Sequence, residues 1–162
     1  KERGDDPEGL LDGYIRAFNL SLQDRPHEMV VATHMCRGNN RGHWLASGGY
    51  DAVAEKLFSQ LNVDAYFLEY ESSRSGTFEP LRFMPKDKTV VLGIVSSKLP
   101  ELEDSSEVKR RLEEASKYVP MENLCLSPQC GFASTKEGNK LSEENQWRKL
   151  ERLVEVADEV WG

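Results

Sequence analysis

The chain has 162 residues, of which 28 are acidic and 21 basic, for a formal net charge of −7. Charged residues make up 30% and hydrophobic ones 38%, an ordinary composition for one globular domain long enough to bury a core. The acidic balance argues against an electrostatic nucleic-acid binder, and no apolar run approaches the roughly 18 residues of a membrane helix.

The first residues, Lys1-Glu2-Arg3-Gly4, carry neither an initiator Met nor a secretory signal, which reads as an N-terminus trimmed or cut from something longer. The cysteines number three, an odd count that builds no disulfide framework and points to a reducing cytoplasm. Cys125, inside Leu124-Cys125-Leu126, reads as a small buried hydrophobe.

Along the chain two periodicities alternate. Leu10, Leu11, Tyr14, Ile15, Phe18 and Leu22 follow helical spacing behind Pro7. Met29 to Thr33 is a short β-prone run between Pro26 and the Gly38-Asn39-Asn40 loop. Tyr50, Val53, Ala54, Leu57, Phe58 and Leu61 predict a second helix, and Val63 to Leu68 a second strand. Pro80 and Pro85 leave room for only a short helix before the third strand, Thr89 to Val95. A third helix is predicted over about 104–118, and a fourth strand around Leu124-Cys125-Leu126. The last helix opens near Ser142 as N-cap, and its stripe from Trp147 to Trp161 reads as core packing.

Apolar strands separated by helices imply a parallel sheet with covered faces. That is either a small open α/β sheet or part of a (β/α)8 barrel, for which 162 residues is short against a typical length of about 250.

In such folds function gathers in the loops after the strands. These begin at His34-Met35-Cys36-Arg37, Glu69-Tyr70-Glu71, Ser96-Ser97-Lys98 and Ser127-Pro128-Gln129-Cys130. His34 and Cys36 lie two apart, so in extended chain both face one side. With Cys130 and a carboxylate they make a mixed imidazole, thiolate and oxygen donor set, which suits Zn²⁺. Composition by itself also accommodates a hydrogen-bonded loop histidine at 34, free thiols at 36 and 130, a solvated Glu69 and a solvated loop lysine at 98. His27 and His43 read as ordinary surface residues.

The stretches His34-Met35-Cys36-Arg37-Gly38-Asn39 and Ser127-Pro128-Gln129-Cys130-Gly131-Phe132 resemble the C-terminal catalytic domain of cobalamin-independent methionine synthase. The nearest likeness is to the shorter, single-barrel members of that superfamily. Gly48-Gly49-Tyr50, Phe67-Leu68-Glu69-Tyr70, Leu92 to Lys98 and Val160-Trp161 extend the resemblance over nearly the whole chain. It implies a (β/α)8 TIM-barrel fold, with residues 1–162 forming about its C-terminal half. It implies zinc held by His34, Cys36, Cys130 and a glutamate. Counting from Asp64 favours Glu69 for that position; counting back from Ser73-Arg74-Ser75 favours Glu71. Glu69 is preferred because it is nearer the strand end.

The activity implied is methyl transfer to the thiol of homocysteine, or of another small thiol, from a folate or other methyl donor. Arg37, Arg74 and Ser96 become candidates for holding substrate. Where the classical enzyme carries a proton-handling histidine in a His-Ser-Pro-Arg context, this chain has Ser96-Ser97-Lys98, a departure that leaves the acid/base step and the methyl donor open. Lys98 is the catalytic candidate and, with Arg37 and Arg74, a candidate for anchoring a carboxylate. The family's Asp-Glu-Pro segment would lie upstream of Lys1, so self-association or pairing with an N-terminal half-barrel is expected. The reading of a different class is a structural-zinc or metal-free domain kept for binding or assembly.

Overall fold

A computed structural model of the chain describes residue 4 and residues 6–162. Helix α1 spans Pro7–Ser21, β1 Ala32–Met35, α2 Ala54–Gln60, β2 Ala65–Glu69, β3 Thr89–Val95, α3 Ser105–Ala115, β4 Leu124–Pro128 and α4 Glu143–Trp161. Between β2 and β3 the two prolines permit only 3-10 turns, Ser73–Ser75 and Glu79–Phe83. The predicted order of elements is therefore present, with one shift. Met29 and Val30 are 48% and 78% exposed, and the first strand starts at Ala32, not Met29.

Side-chain caps set three of the helix starts. Asp6 accepts from the amides of Glu8 and Gly9, Asp104 from Glu107, and Ser142 forms a reciprocal capping box with Asn145. The four strands pair in parallel in chain order. Their register is His34 to Phe67 to Val91 to Cys125, and Glu69 to Gly93 to Ser127.

Period-two alternation then gives the sheet two different faces. Tyr66, Leu68, Val90, Leu92, Ile94 and Leu124 join one core cluster with Ile15, Leu57, Phe58, Leu81, Val108, Leu112 and Val156 from the helical elements. Burying such side chains supplies about 1.5–3 kcal/mol each. Ala65, Phe67, Val91 and Val95 lie on the opposite face and take no part in that cluster.

The helix layer packs on one face, as half of a barrel requires, and one strand residue corrects the sequence reading. Cys125, expected buried, is exposed on the other face, because the strand's alternation turns Leu124 inward instead. The last helix differs as well. Trp147 is 55% and Trp161 38% exposed, while Leu153, Val156 and Lys149 are its buried residues. Lys149 is tolerated there because its ammonium lies 2.9 Å from Glu103 Oε2. No helix among the described residues is long and apolar enough to cross a membrane.

Candidate metal centre

Strand ends deliver the donors. His34 belongs to β1 and Cys36 follows it directly; both are exposed on the face away from the helices. Glu69 is the last residue of β2 and is fully buried. Cys130 lies two residues beyond β4. One ligand atom from each of the four falls within 4.8 Å of all the others. Cys36 Sγ lies 3.6 Å from Cys130 Sγ, Cys130 Sγ 3.7 Å from His34 Nε2, and Cys36 Sγ 3.8 Å from Glu69 Oε1.

These separations match the chemistry of the donors. Zinc–sulfur bonds of about 2.3 Å put the edges of a tetrahedron near 3.8 Å, so two cysteines, a histidine and a glutamate here fit Zn²⁺ without rearranging the strands. The exception is the Cys130 thiol, which donates to Glu69 Oε1 at 2.6 Å. Burial, and then the Glu69 carboxylate beside it, pushes that thiol well above the usual cysteine range. Burial would raise Glu69 too, but the Cys130 hydrogen bond, the Lys98 ammonium and the Arg37 amide outweigh it and hold the carboxyl below its ordinary value. The proton therefore sits on sulfur.

Glu69 is clamped from behind. Its Oε2 accepts from the Arg37 amide at 3.0 Å, and its own amide donates to Tyr50 Oη at 2.9 Å. The Arg37 guanidinium, 8% exposed, donates to Gly48 O, Tyr50 Oη and Glu69 O at 2.8, 3.0 and 3.0 Å. Burial pushes the Tyr50 phenol up to about 12, so it stays a neutral donor and acceptor. Gly38 has φ +91°, and its amide lies 3.2 Å from Cys36 Sγ; a Cβ there would meet Leu45 at 2.9 Å. Gly93 is needed for closeness: a Cβ would stand 2.7 Å from Gln129 Cα, in the segment that carries Cys130.

The other sequence candidates separate clearly. Glu71 is not in the cluster; its carboxylate pairs with Arg74 and accepts from Ser75 Oγ at 3.2 Å. Arg74 is spent on Glu71, on Ala46 O at 2.8 Å and on the Trp44 ring. Arg37 lies beneath the ligands, not at a mouth. Ser96 is buried and donates to Gln129 Oε1 at 3.1 Å. Lys98 is not a solvated loop lysine: it is 2% exposed, with Nζ 3.5 Å from Glu69 Oε1 and 4.0 Å from Cys130 Sγ.

Gln129 escaped the sequence reading. It is 1% exposed, its Nε2 has no partner, and it lines a cavity of about 260 Å³ with His34, Phe67, Ser127, Pro128 and Cys130. Its place one residue before Cys130 was the available signal.

Comparison with known proteins follows the same lines. The uncharacterized protein YxjG of Bacillus subtilis is 55% identical over 159 residues, covering 98% of this chain but 42% of that protein. A 5-methyltetrahydropteroyltriglutamate–homocysteine methyltransferase of Acidithiobacillus ferrooxidans is 28% identical over 93% of this chain and 17% of its own length. A crystal structure from Listeria monocytogenes, assigned as a vitamin-B12-independent methionine synthase, superposes with TM-score 0.74 at 39% identity, over 98% of this chain and 43% of that one. The four parallel strands and their helices thus correspond to part of a TIM-barrel domain, and the chain spans less than half the length of these relatives. The profile of the family described as cobalamin-independent synthase, catalytic domain, matches residues 2–159. The chain belongs to that family.

Proposed function

We propose that residues 1–162 form the C-terminal half of a (β/α)8 catalytic domain that transfers a methyl group to the sulfur of homocysteine. The observation that carries the reading is the convergence of His34, Cys36, Glu69 and Cys130, one donor atom of each within 4.8 Å of the others, on the sheet face opposite the helices. When bound, zinc supplies Lewis-acid charge that holds a substrate thiol, otherwise near pKa 8.5 and mostly protonated, as the nucleophilic thiolate. The chain's own residues do the rest. Arg37 and Tyr50 fix Glu69 so that its carboxylate is aimed without freedom. The Gly38 amide stabilises negative charge on Cys36 Sγ. A cytoplasmic location agrees with three unpaired thiols.

The test is thiol methylation by the natural polypeptide that contains this chain, loaded with zinc and given homocysteine and 5-methyltetrahydropteroyltriglutamate. Methionine should form and stop on chelation. No methylation of homocysteine with this or another methyl donor, or methylation untouched by metal removal, overturns the reading. Within the same protein, Glu69→Gln is expected to weaken zinc about 10–100-fold, a loss on the scale of removing a ligand's support. Glu71→Gln should leave zinc unchanged, since Glu71 serves Arg74. Equal losses in competition with a chromophoric chelator would contradict the choice of Glu69.

The open face gives a prediction about assembly. Strands β1 and β4 are unpaired at their outer edges among the described residues, and Phe67 is 38% exposed between them. Open edges and apolar faces drive association, and a barrel loses its edges only on closure. The isolated 162-residue chain is expected to sediment above 18.4 kDa at micromolar concentration, or to pair with a separately supplied N-terminal half. Cys125, on that same face, should be alkylated by iodoacetamide in the isolated chain and protected in the complete barrel. A compact monomer, or equal alkylation in both, would show that these strands form a self-sufficient sheet.

A further inference from the structure

The loop after β3 puts a cation inside the ligand set. Lys98 reaches in from Ser96-Ser97-Lys98, and its side chain is wholly buried against Glu69. The loop is held independently of the ligands. The Lys98 amide donates to Ser96 Oγ at 3.2 Å, the Ser96 amide to Glu103 Oε1 at 2.8 Å, and Asn139 Nδ2 to Ser97 O at 2.9 Å. Glu103 is fixed in turn by Lys149. The ammonium is thus delivered by scaffold, and its neighbours at the site are Glu69, Cys130 and, farther off, the Trp44 ring at 6.0 Å.

Its consequence follows from charge. Two thiolates and a carboxylate carry one negative charge more than a divalent ion supplies, and an added substrate thiolate makes the excess two. The Arg37 guanidinium, 3.7 Å from Glu69 Oε2, offsets one of these, and Lys98, the cation that reaches both Glu69 Oε1 and Cys130 Sγ, offsets the other. A buried excess of charge is costly. We propose that the Lys98 ammonium is the resident countercharge of this ligand set, weakening its hold on the metal and strengthening its hold on the anionic thiol that joins the metal. This rests on the zinc-thiol reading above and gives Lys98 a role of positioning by charge. The two effects have opposite signs because the same cation repels a divalent ion and attracts a thiolate at the same place. A unit charge some 4 Å away at an effective dielectric near 20 is worth well over a factor of ten in each direction, before relaxation.

The experiment uses the natural polypeptide with Lys98→Met, Lys98→Gln and Lys98→Arg. Zinc affinity is read by competition with a chromophoric chelator. Homocysteine affinity is read from the charge-transfer absorption of the cobalt-substituted protein. Both neutral variants should bind zinc at least about tenfold tighter and homocysteine at least about tenfold weaker, while Lys98→Arg stays within about threefold of wild type in both. Should Lys98→Met fail to fold, Lys98→Gln must show the same opposed shifts. Neutral variants that lose both affinities, keep both or move only one overturn the inference. A wild-type protein that takes no zinc, or whose metal ignores homocysteine, brings down the reading of the site itself.

Discussion

Replacing Cys36 and Cys130 together by serine is expected to abolish zinc binding, with a loss of at least about a thousandfold in affinity. A structural or catalytic zinc site draws most of its free energy from thiolates, and apparent binding energies of about 10–16 kcal/mol collapse when they are removed. The fold should survive the change. Cys36 is exposed and Cys130 partly so, and neither belongs to the core cluster, so the hydroxyl-for-thiol exchange leaves the helix-facing packing intact. Elemental analysis of protein purified without chelator, beside circular dichroism, separates the two outcomes. Zinc retained undiminished in the double variant would mean that the four donors converge for some other reason.

The second large effect is expected at Arg37, and on stability. Truncating it to alanine strips donors from Gly48 O, Tyr50 Oη and Glu69 O and leaves the fully buried Glu69 carboxylate with less compensation. Breaking a buried, hydrogen-bonded charge pair from one side costs about 3–5 kcal/mol. Lysine should rescue little, because a point donor cannot serve partners arranged for a fork. Denaturant unfolding reads this directly. A substrate-anchoring arginine, as the sequence suggested, would instead leave the unfolding midpoint in place and raise KM.

That difference shows where a sequence stops being readable. The four strands announced themselves as apolar runs, and His34 with Cys36 could be paired because a period of two needs no tertiary knowledge. The face of a run cannot be read the same way. In Thr89 to Val95 nearly every residue is apolar, so nothing local says that Leu92 and Ile94 meet helices while Val91 does not. By that parity Leu68, Leu92 and Ile94, with Val31 and Leu126 packed beside them, turn to the helices, while Cys125, expected to be buried, turns away. Glu69 and Glu71 share a parity as well. They part only because β2 ends at Glu69 and the chain turns, giving Glu71 to Arg74. Lys98 and Lys149 were unreadable for another reason: a lysine's burial depends on a carboxylate from a distant segment, Glu69 or Glu103, arriving beside it.

In the function proposed, His34, Cys36, Glu69 and Cys130 hold a zinc ion that accepts a substrate thiol. Zinc-edge X-ray absorption on the natural polypeptide, before and after homocysteine, tests it most directly. A shell of two sulfurs at about 2.3 Å with two nitrogen or oxygen donors is expected, gaining a third sulfur when the thiol is added. A shell without sulfur, or one of two sulfurs that homocysteine leaves unchanged, would contradict it.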